Sequence, residues 1–292
     1  MRRFTVHRFV AAMLSGSALA SASVALADNH EGDGDAKWDV QAPTGAAIRE
    51  IPIETDEGTW MDVDVSPDGR TIAFTLLGDI YTVPMTGGAA TRIAQGMAWE
   101  VHPRFSPDGS RIAFTSDRGG GNNIWVMNAD GSDKRQLTKE SFRLLNQPTW
   151  SPDGRFIAAK KHFTTQRSLG TGEIWMYHVS GGGGVQVVER RNTQLQKELG
   201  EPIFAPDGKA IYYTRNTTGG NSFIYAQDSN AGVFAIEKHD LEKGEVSTVV
   251  DGYGGAVRPA PSPDGTQIAF VRRDKNTSQL WVKDLASGRE RM

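Results

Sequence analysis

The sequence predicts an all-β propeller of five four-stranded blades, and three observations predict it. A turn tetrapeptide occurs five times, a pair of apolar strands keeps step behind each copy, and the copies lie 40 to 57 residues apart. The turn is "SPDG" at Ser66, Ser106, Ser151 and Ser262, and "APDG" at Ala205. Pro presets φ for the first corner, Asp bonds its own backbone, and Gly accepts the positive φ that ends a tight reversal. Asp68 and Gly69, Asp108 and Gly109, Asp153 and Gly154, Asp207 and Gly208, and Asp264 and Gly265 are thereby assigned to chain reversal.

Three residues after each turn Gly stands an Ile: Ile72, Ile112, Ile157, Ile211 and Ile268, within short runs such as "RIAF" and "QIAF" that read as strands. A second run follows in each unit: "DIYTV", "NIWVM", "EIWMY", "VFAI" and "QLWVK". Successive turn glycines are 40, 45, 54 and 57 residues apart. Repeats of this length with about four strands each are propeller blades, because one small sheet cannot bury both faces until neighbours stack around an axis. The blades start near residues 59, 99, 145, 200 and 256. Trp125, Trp150, Trp175 and Trp281 recur at fixed strand positions and are expected to pack between blades.

Four inner strands carry Pro at one place, Pro103, Pro148, Pro202 and Pro259, with Val63 replacing it in the first blade. Pro cannot donate to a sheet ladder and belongs on an edge. The innermost strand of a blade is such an edge, so the prolines mark the axis. The residue before each is expected to be extended. Asp62, His102, Gln147, Glu201 and Arg258 hold that position and should form a polar ring at one mouth of the channel, a candidate surface for a protein or peptide partner. The long connections at 189–201 and 216–230 are further places where a rigid scaffold carries binding residues.

The N-terminus predicts export. Arg2, Arg3 and Arg8 precede an apolar run ending in small residues before Asp28, a signal peptide over 1–27. Residues 28–47 read as a flexible acidic leader and 48–292 as the propeller. The product is expected in the periplasm or outside the cell, with no membrane span once the signal is removed. Loss of the three Arg takes the formal charge from −3 to −6, which offers no footprint for nucleic acid.

There is no Cys, which excludes disulfides and thiolate chemistry. No Gly-x-Ser-x-Gly elbow occurs, and the six His form no zinc-binding pattern. The glycine runs at Gly119 and Gly181 lack the Lys-Ser/Thr of a phosphate loop. The chain is therefore expected to hold no catalytic residue, metal or cofactor of its own.

The repeats "RFSPDGSRIAFTSDRGGGNNIWVMNADGSDKRQLT" and "APSPDGTQIAFVRRDKNTSQLWVKDL" resemble the propeller repeat of TolB, the periplasmic propeller of the Tol-Pal system. The same repeat occurs in propellers attached to prolyl oligopeptidase-like serine peptidases and to secreted amidohydrolases. The resemblance covers roughly Ile48 to Arg289. TolB itself carries a small α/β domain before its propeller, for which the leader here is too short. The opening "WDVQAPTG…IPIETDEGTWMDVDVSPDGRTIAFTLLGDIYTVPMTGG" looks most like the amidohydrolase-linked group. That resemblance implies a substrate-gating or protein-binding scaffold working with a metal-dependent hydrolase domain outside this chain, with a stand-alone interaction module as the alternative.

The fifth repeat stops at "QLWVKDLASGRERM", where a fourth strand should begin. Two arrangements fit: these blades are part of a larger propeller, or "AIREIPIET", Ala47 to Thr55, supplies the missing outer strand and seals a ring of five.

Overall fold

The computed structural model describes residues 39–141, 144–162, 171–222, 224 and 226–292, together with the backbone of 4–12 and 163. Most of the expected signal and leader, 13–38, lies outside the described residues. The backbone of Phe4–Ala12 (β1) pairs antiparallel with Ala47–Thr55 (β2).

The remainder is a β-propeller of five four-stranded antiparallel blades, each a simple meander in chain order. Blade 1 comprises β3 Val63–Val65, β4 Thr71–Leu76, β5 Asp79–Pro84 and β6 Thr91–Ala94. Blade 2 comprises β7 Glu100–Phe105, β8 Arg111–Ser116, β9 Asn123–Asn128 and β10 Arg135–Gln136. Blade 3 comprises β11 Leu144–Trp150, β12 Phe156–Phe163, β13 Thr171–His178 and β14 Val185–Val188. Blade 4 comprises β15 Leu199–Phe204, β16 Ala210–Asn216, β17 Phe234–Asp240 and β18 Val246–Val250. Blade 5 comprises β19 Val257–Pro261, β20 Gln267–Asp274, β21 Thr277–Asp284 and β22 Glu290–Arg291.

One difference from the sequence expectation concerns the fifth blade. Its outer place is taken by β22, paired Val282 with Arg291 and Lys283 with Glu290, and not by Ala47–Thr55. The reversal is local: Gly288 N donates to Asp284 O and Asp284 N donates to Arg289 O, both at 2.9 Å, so the chain folds straight back onto β21.

Each turn is built the same way. At the second copy Gly109 N donates to Ser106 O at 2.8 Å, Ser106 Oγ donates to Asp108 Oδ1 at 2.5 Å, and Arg111 N donates to Ser106 Oγ at 2.9 Å. Ser66, Ser151 and Ser262 repeat this, whereas Ala205 keeps only the backbone bonds and the Asp207 cap on Lys209 N. The serine hydroxyl stabilises the ionised Asp and holds Asp108 and Asp153 at about 2. A lowered native pKa contributes stability above the ordinary 3.8, and that stability is lost as pH falls through about 2. Ser106→Ala is therefore expected to move the Asp108 carboxyl titration, followed by NMR, up toward 3.8; an unmoved titration would contradict this account of the turn.

The core lies between blades. Ala73 and Ile80 of blade 1 pack on Phe105, Ile112 and Phe114 of blade 2, with Trp125 against the cluster. Val126 and Leu137 of blade 2 meet Trp150, Ile157 and Tyr177 of blade 3, joined by Trp175. Ala158 and Ile174 of blade 3 meet Phe204, Ile211 and Tyr213 of blade 4, and Tyr212 and Ile236 of blade 4 meet Ile268, Phe270 and Trp281 of blade 5. Each fully buried Ile or Phe contributes about 2–3 kcal/mol, which pins the strand register. The inner strands are also tied: Phe105 N donates to Asp64 Oδ2 at 2.7 Å and Trp150 Nε1 to Arg104 O at 3.0 Å.

Candidate functional site

The five ring residues come together as the sequence spacing predicts. Asp62, His102, Gln147, Glu201 and Arg258 all line one cavity of about 140 Å³ where the inner strands converge, with Pro148, Pro202 and Pro259 in its wall. Arg104, which the sequence reading did not single out, lines it too. It lies two residues after His102, beyond the bulge that interrupts the alternation of this strand, so no local sequence signal pointed to it.

Their backbone differs from the expectation. His102, Gln147, Glu201 and Arg258 are left-handed, with φ between +53° and +57°, and not extended. Each sits in a bulge of the first ladder, between Val101 and Arg104, Asn146 and Thr149, Gly200 and Ile203, and Val257 and Ala260. The following Pro closes the right-handed helical region to the residue before it and offers no N–H to the ladder. The left-handed turn re-aims that residue's own N–H along the ring. Glu201 N donates to Gln147 Oε1 and Arg258 N to Glu201 Oε2, both at 2.8 Å. Asp62, with Val63 after it, needs no such bulge and bonds within its blade, its N–H to Thr75 Oγ1 at 2.9 Å.

The ring is thus a chain of side chains passing from blade to blade. Thr214 Oγ1 donates to Glu201 Oε2 at 2.7 Å, and Arg258 Nε lies 3.5 Å from Glu201 Oε1. At the other end His102 Nε2 stands 3.7 Å from Asp62 Oδ2. Burial pushes the His102 pKa down; Asp62 opposes this, while Arg104, Arg258 and Lys160 add to it. The imidazole is accordingly neutral at pH 7, and its Nδ1 is buried without a partner among the described residues. Four left-handed non-glycine residues cost on the order of 1 kcal/mol each and persist only where surrounding contacts hold them.

The two long connections that the sequence singled out are tied together beside blade 4. Lys197 Nζ, fully buried, donates to Thr218 O at 2.8 Å and to Thr218 Oγ1 and Gly219 O at 2.6 Å. Gln196 N donates to Asn221 O at 2.8 Å. Burial lowers the Lys197 pKa, helped by Arg191, and its three acceptors are all uncharged oxygens.

Chemically the ring offers hydrogen-bond donors and acceptors, and side chains of both charges, around a small polar well. Among the described residues no group of His, Asp and Glu is arranged to hold a metal ion. None of their helices is long and apolar enough to cross a membrane.

Comparison with known proteins gives the class of the repeat. The family described as the Tricorn protease N-terminal β-propeller domain matches residues 60–187. Among curated relatives, Tricorn protease homolog 1 of Streptomyces coelicolor is 28% identical over 76% of this chain and 20% of its own length. The uncharacterized protein Atu1656 of Agrobacterium fabrum is 28% identical over 72% of this chain and 69% of its own. The uncharacterized peptidase YuxL of Bacillus subtilis is 26% identical over 72% of this chain and 29% of its own. The chain thus spans a fifth to two thirds of the length of these relatives.

Solved structures agree on the fold. A protein described as TolB from Agrobacterium tumefaciens superposes with a TM-score of 0.63 at 20% identity, covering 84% of this chain and 83% of that one. TolB of Acinetobacter baumannii gives 0.58 at 18%, over 78% of this chain and 50% of its own. The chain is similar in fold to TolB-like and Tricorn-like propellers.

Proposed function

We propose that this chain is a non-catalytic scaffold of an exported protein, which binds or gates peptide or protein at the axial mouth and serves a hydrolase domain outside these residues. The observation that carries this reading is the ring: five polar side chains from five blades converge on one cavity, with Gln147, Glu201 and Arg258 bonded one to the next. A well that small admits a chain end or a single polar side chain and excludes a folded domain. Similarity to the Tricorn homolog and to peptidase YuxL, each several times longer than the matched region, supports a peptide-processing assembly. The amidohydrolase partner rests on the resemblance of the opening segment alone. Export to the periplasm or beyond rests on the N-terminal signal pattern.

A stand-alone interaction module is the second reading. It is favoured by the Agrobacterium structure, of which this chain covers 83%. The native molar mass in extracts of the source organism separates the two: a species several times larger than 31.8 kDa supports the hydrolase scaffold, and one at that size or just below supports the module.

The ring itself is tested with a library of short peptides read by fluorescence anisotropy. Peptides that bind residues 28–292 are expected to lose about tenfold, some 1.4 kcal/mol, in the His102→Ala/Arg258→Ala double variant at unchanged melting temperature. Binding indifferent to both substitutions would remove the ring from the proposal.

A further inference from the structure

A second cavity, of about 370 Å³, lies beside blade 5 and shares no lining residue with the axial well. Its wall is Ile224, Gln227 and Ser229, from the long connection between β16 and β17, and its floor is Val257, Val271 and Arg273 of blade 5. Backbone contacts hold wall and floor together. Gly254 N donates to Asn230 O at 2.7 Å, at the end of the wall, and Arg273 N donates to Gly254 O at 3.1 Å. Gly254 is left-handed, with φ of +78°, and a Cβ there would strike the Arg273 carbonyl oxygen, so glycine is what lets this connection lie directly on the sheet. At its other end the wall is anchored by buried Lys197, through Thr218 and Gly219. A concave, mainly apolar and preformed space of this size is the form that small-molecule sites take.

The lining holds a single ionisable side chain, Arg273. Its Nε is buried with no hydrogen-bond partner among the described residues, and its guanidinium enters no ion pair there. Arg272, one residue earlier and on the other face of the strand, is fully engaged: it donates to Gly255 O at 3.1 Å, to Asp251 O at 2.8 Å and to Glu290 Oε2 at 2.5 Å. Nor does the repeat call for a cation at this place. Asp117 of blade 2 and Asn216 of blade 4, which like Arg273 stand five residues after the second-strand Ile, accept hydrogen bonds from Trp99 N at 2.8 Å and Thr218 N at 3.1 Å. A guanidinium stays charged at every working pH, and a charged donor left buried and unpaired is unfavourable, so this place is complete only with an acceptor.

We propose that the cavity binds a small monocarboxylate with an apolar body, its carboxylate on Arg273 and its body against Ile224, Val257 and Val271. A carboxylate accepts side-on from two donors of a guanidinium, and Gln227 and Ser229 add polar groups on the facing wall. No carboxylate lines the space to repel it. Asp228, between the two wall residues, lies outside the lining and accepts from Asn230 N at 2.9 Å. A neutral guest would leave the Arg273 Nε unpaired, a cation would be repelled, and a dianion would exceed the one positive charge present. The proposal rests on these residues alone and stands apart from the axial ring.

The test titrates octanoate into the protein and follows the valine methyls and the arginine Nε–H by NMR. Signals of Val257, Val271 and Arg273 are expected to shift along one saturating curve while His102 stays still. Octylammonium, with the same chain and the opposite charge, should bind at least about tenfold more weakly, a comparison that needs no variant. Arg273→Gln should weaken octanoate about tenfold and leave octanol within about twofold. It should also melt like the parent, since the side chain it replaces makes no hydrogen bond or ion pair among the described residues. Still signals at Val271 and Arg273 in millimolar octanoate would overturn the proposal, and so would equal binding of octylammonium or indifference to Arg273→Gln. Shifts at His102 without any at Arg273 would move the guest to the axial well, and inorganic phosphate bound as tightly as octanoate would leave no part for the apolar body; either result also overturns it.

Discussion

Arg118→Ala is expected to destabilise the protein by about 3–5 kcal/mol, because it strips the partner from a fully buried carboxylate. Glu100 opens the inner strand of blade 2 at 0% exposure, and Arg118 reaches its Oε1 through Nη2 at 2.6 Å and Nε at 3.1 Å. Arg118 Nη2 also donates to Gln95 O at 2.9 Å, so the guanidinium clasps the connection from blade 1 to blade 2. Burial raises the Glu100 pKa above its ordinary 4.5 even with Arg118 present, and nearby Asp79 raises it further. The native state therefore holds this proton to higher pH than the unfolded chain does. The variant's deficit should be full at neutral pH and should shrink as pH is lowered through the raised pKa toward 4.5. Adding Glu100→Gln to Arg118→Ala removes the orphaned charge and should recover most of the loss. Chemical denaturation at pH 7 and pH 5 provides the measurement; a small, pH-independent loss would mean that water reaches Glu100.

Gly131→Ala is expected to cost about 2–5 kcal/mol, against about 1 kcal/mol for Gly87→Ala. Both glycines are left-handed, with φ of +87° and +81°, and each closes the turn after a third strand. A side chain in that region costs about 1–2 kcal/mol. At Gly87 a Cβ meets open space, but at Gly131 it falls inside the radius of the Ile93 carbonyl oxygen on the neighbouring blade. Backbone cannot move aside as a flexible side chain does, so overpacking of about 1–3 kcal/mol is added. Equal losses in the two variants would show that the blade 1 to blade 2 junction is slack at this point.

Much of the candidate site was legible before the fold was seen. The prolines at 103, 148, 202 and 259 marked the channel edge because an edge strand needs no N–H there, and the five residues before that position do converge. What remained hidden was non-local. The left-handed backbone at Glu201 depends on Gln147, which lies 54 residues earlier in the chain, and that bond exists only once blade 3 stands beside blade 4. The ion pairs of Arg118 with Glu100, and of Arg215 with Glu237 at 2.6 Å, are marked by no local pattern in the sequence. Their burial follows from the neighbouring blade.

The sequence by itself determined the blade. Turn chemistry at Ser-Pro-Asp-Gly, alternation in the strands behind it and repeat length are properties of thirty or forty neighbouring residues, where local sterics and hydrogen bonding decide the outcome. Tertiary structure alone decided how blades face one another: which copy of one apolar pattern is buried, as at Ile124, and which is left open, as at Leu280. The two residues occupy the same place in the same repeat, so no local signal separates them. Only the presence or absence of a sheet on the far side does, because burial is a property of the neighbour and not of the residue.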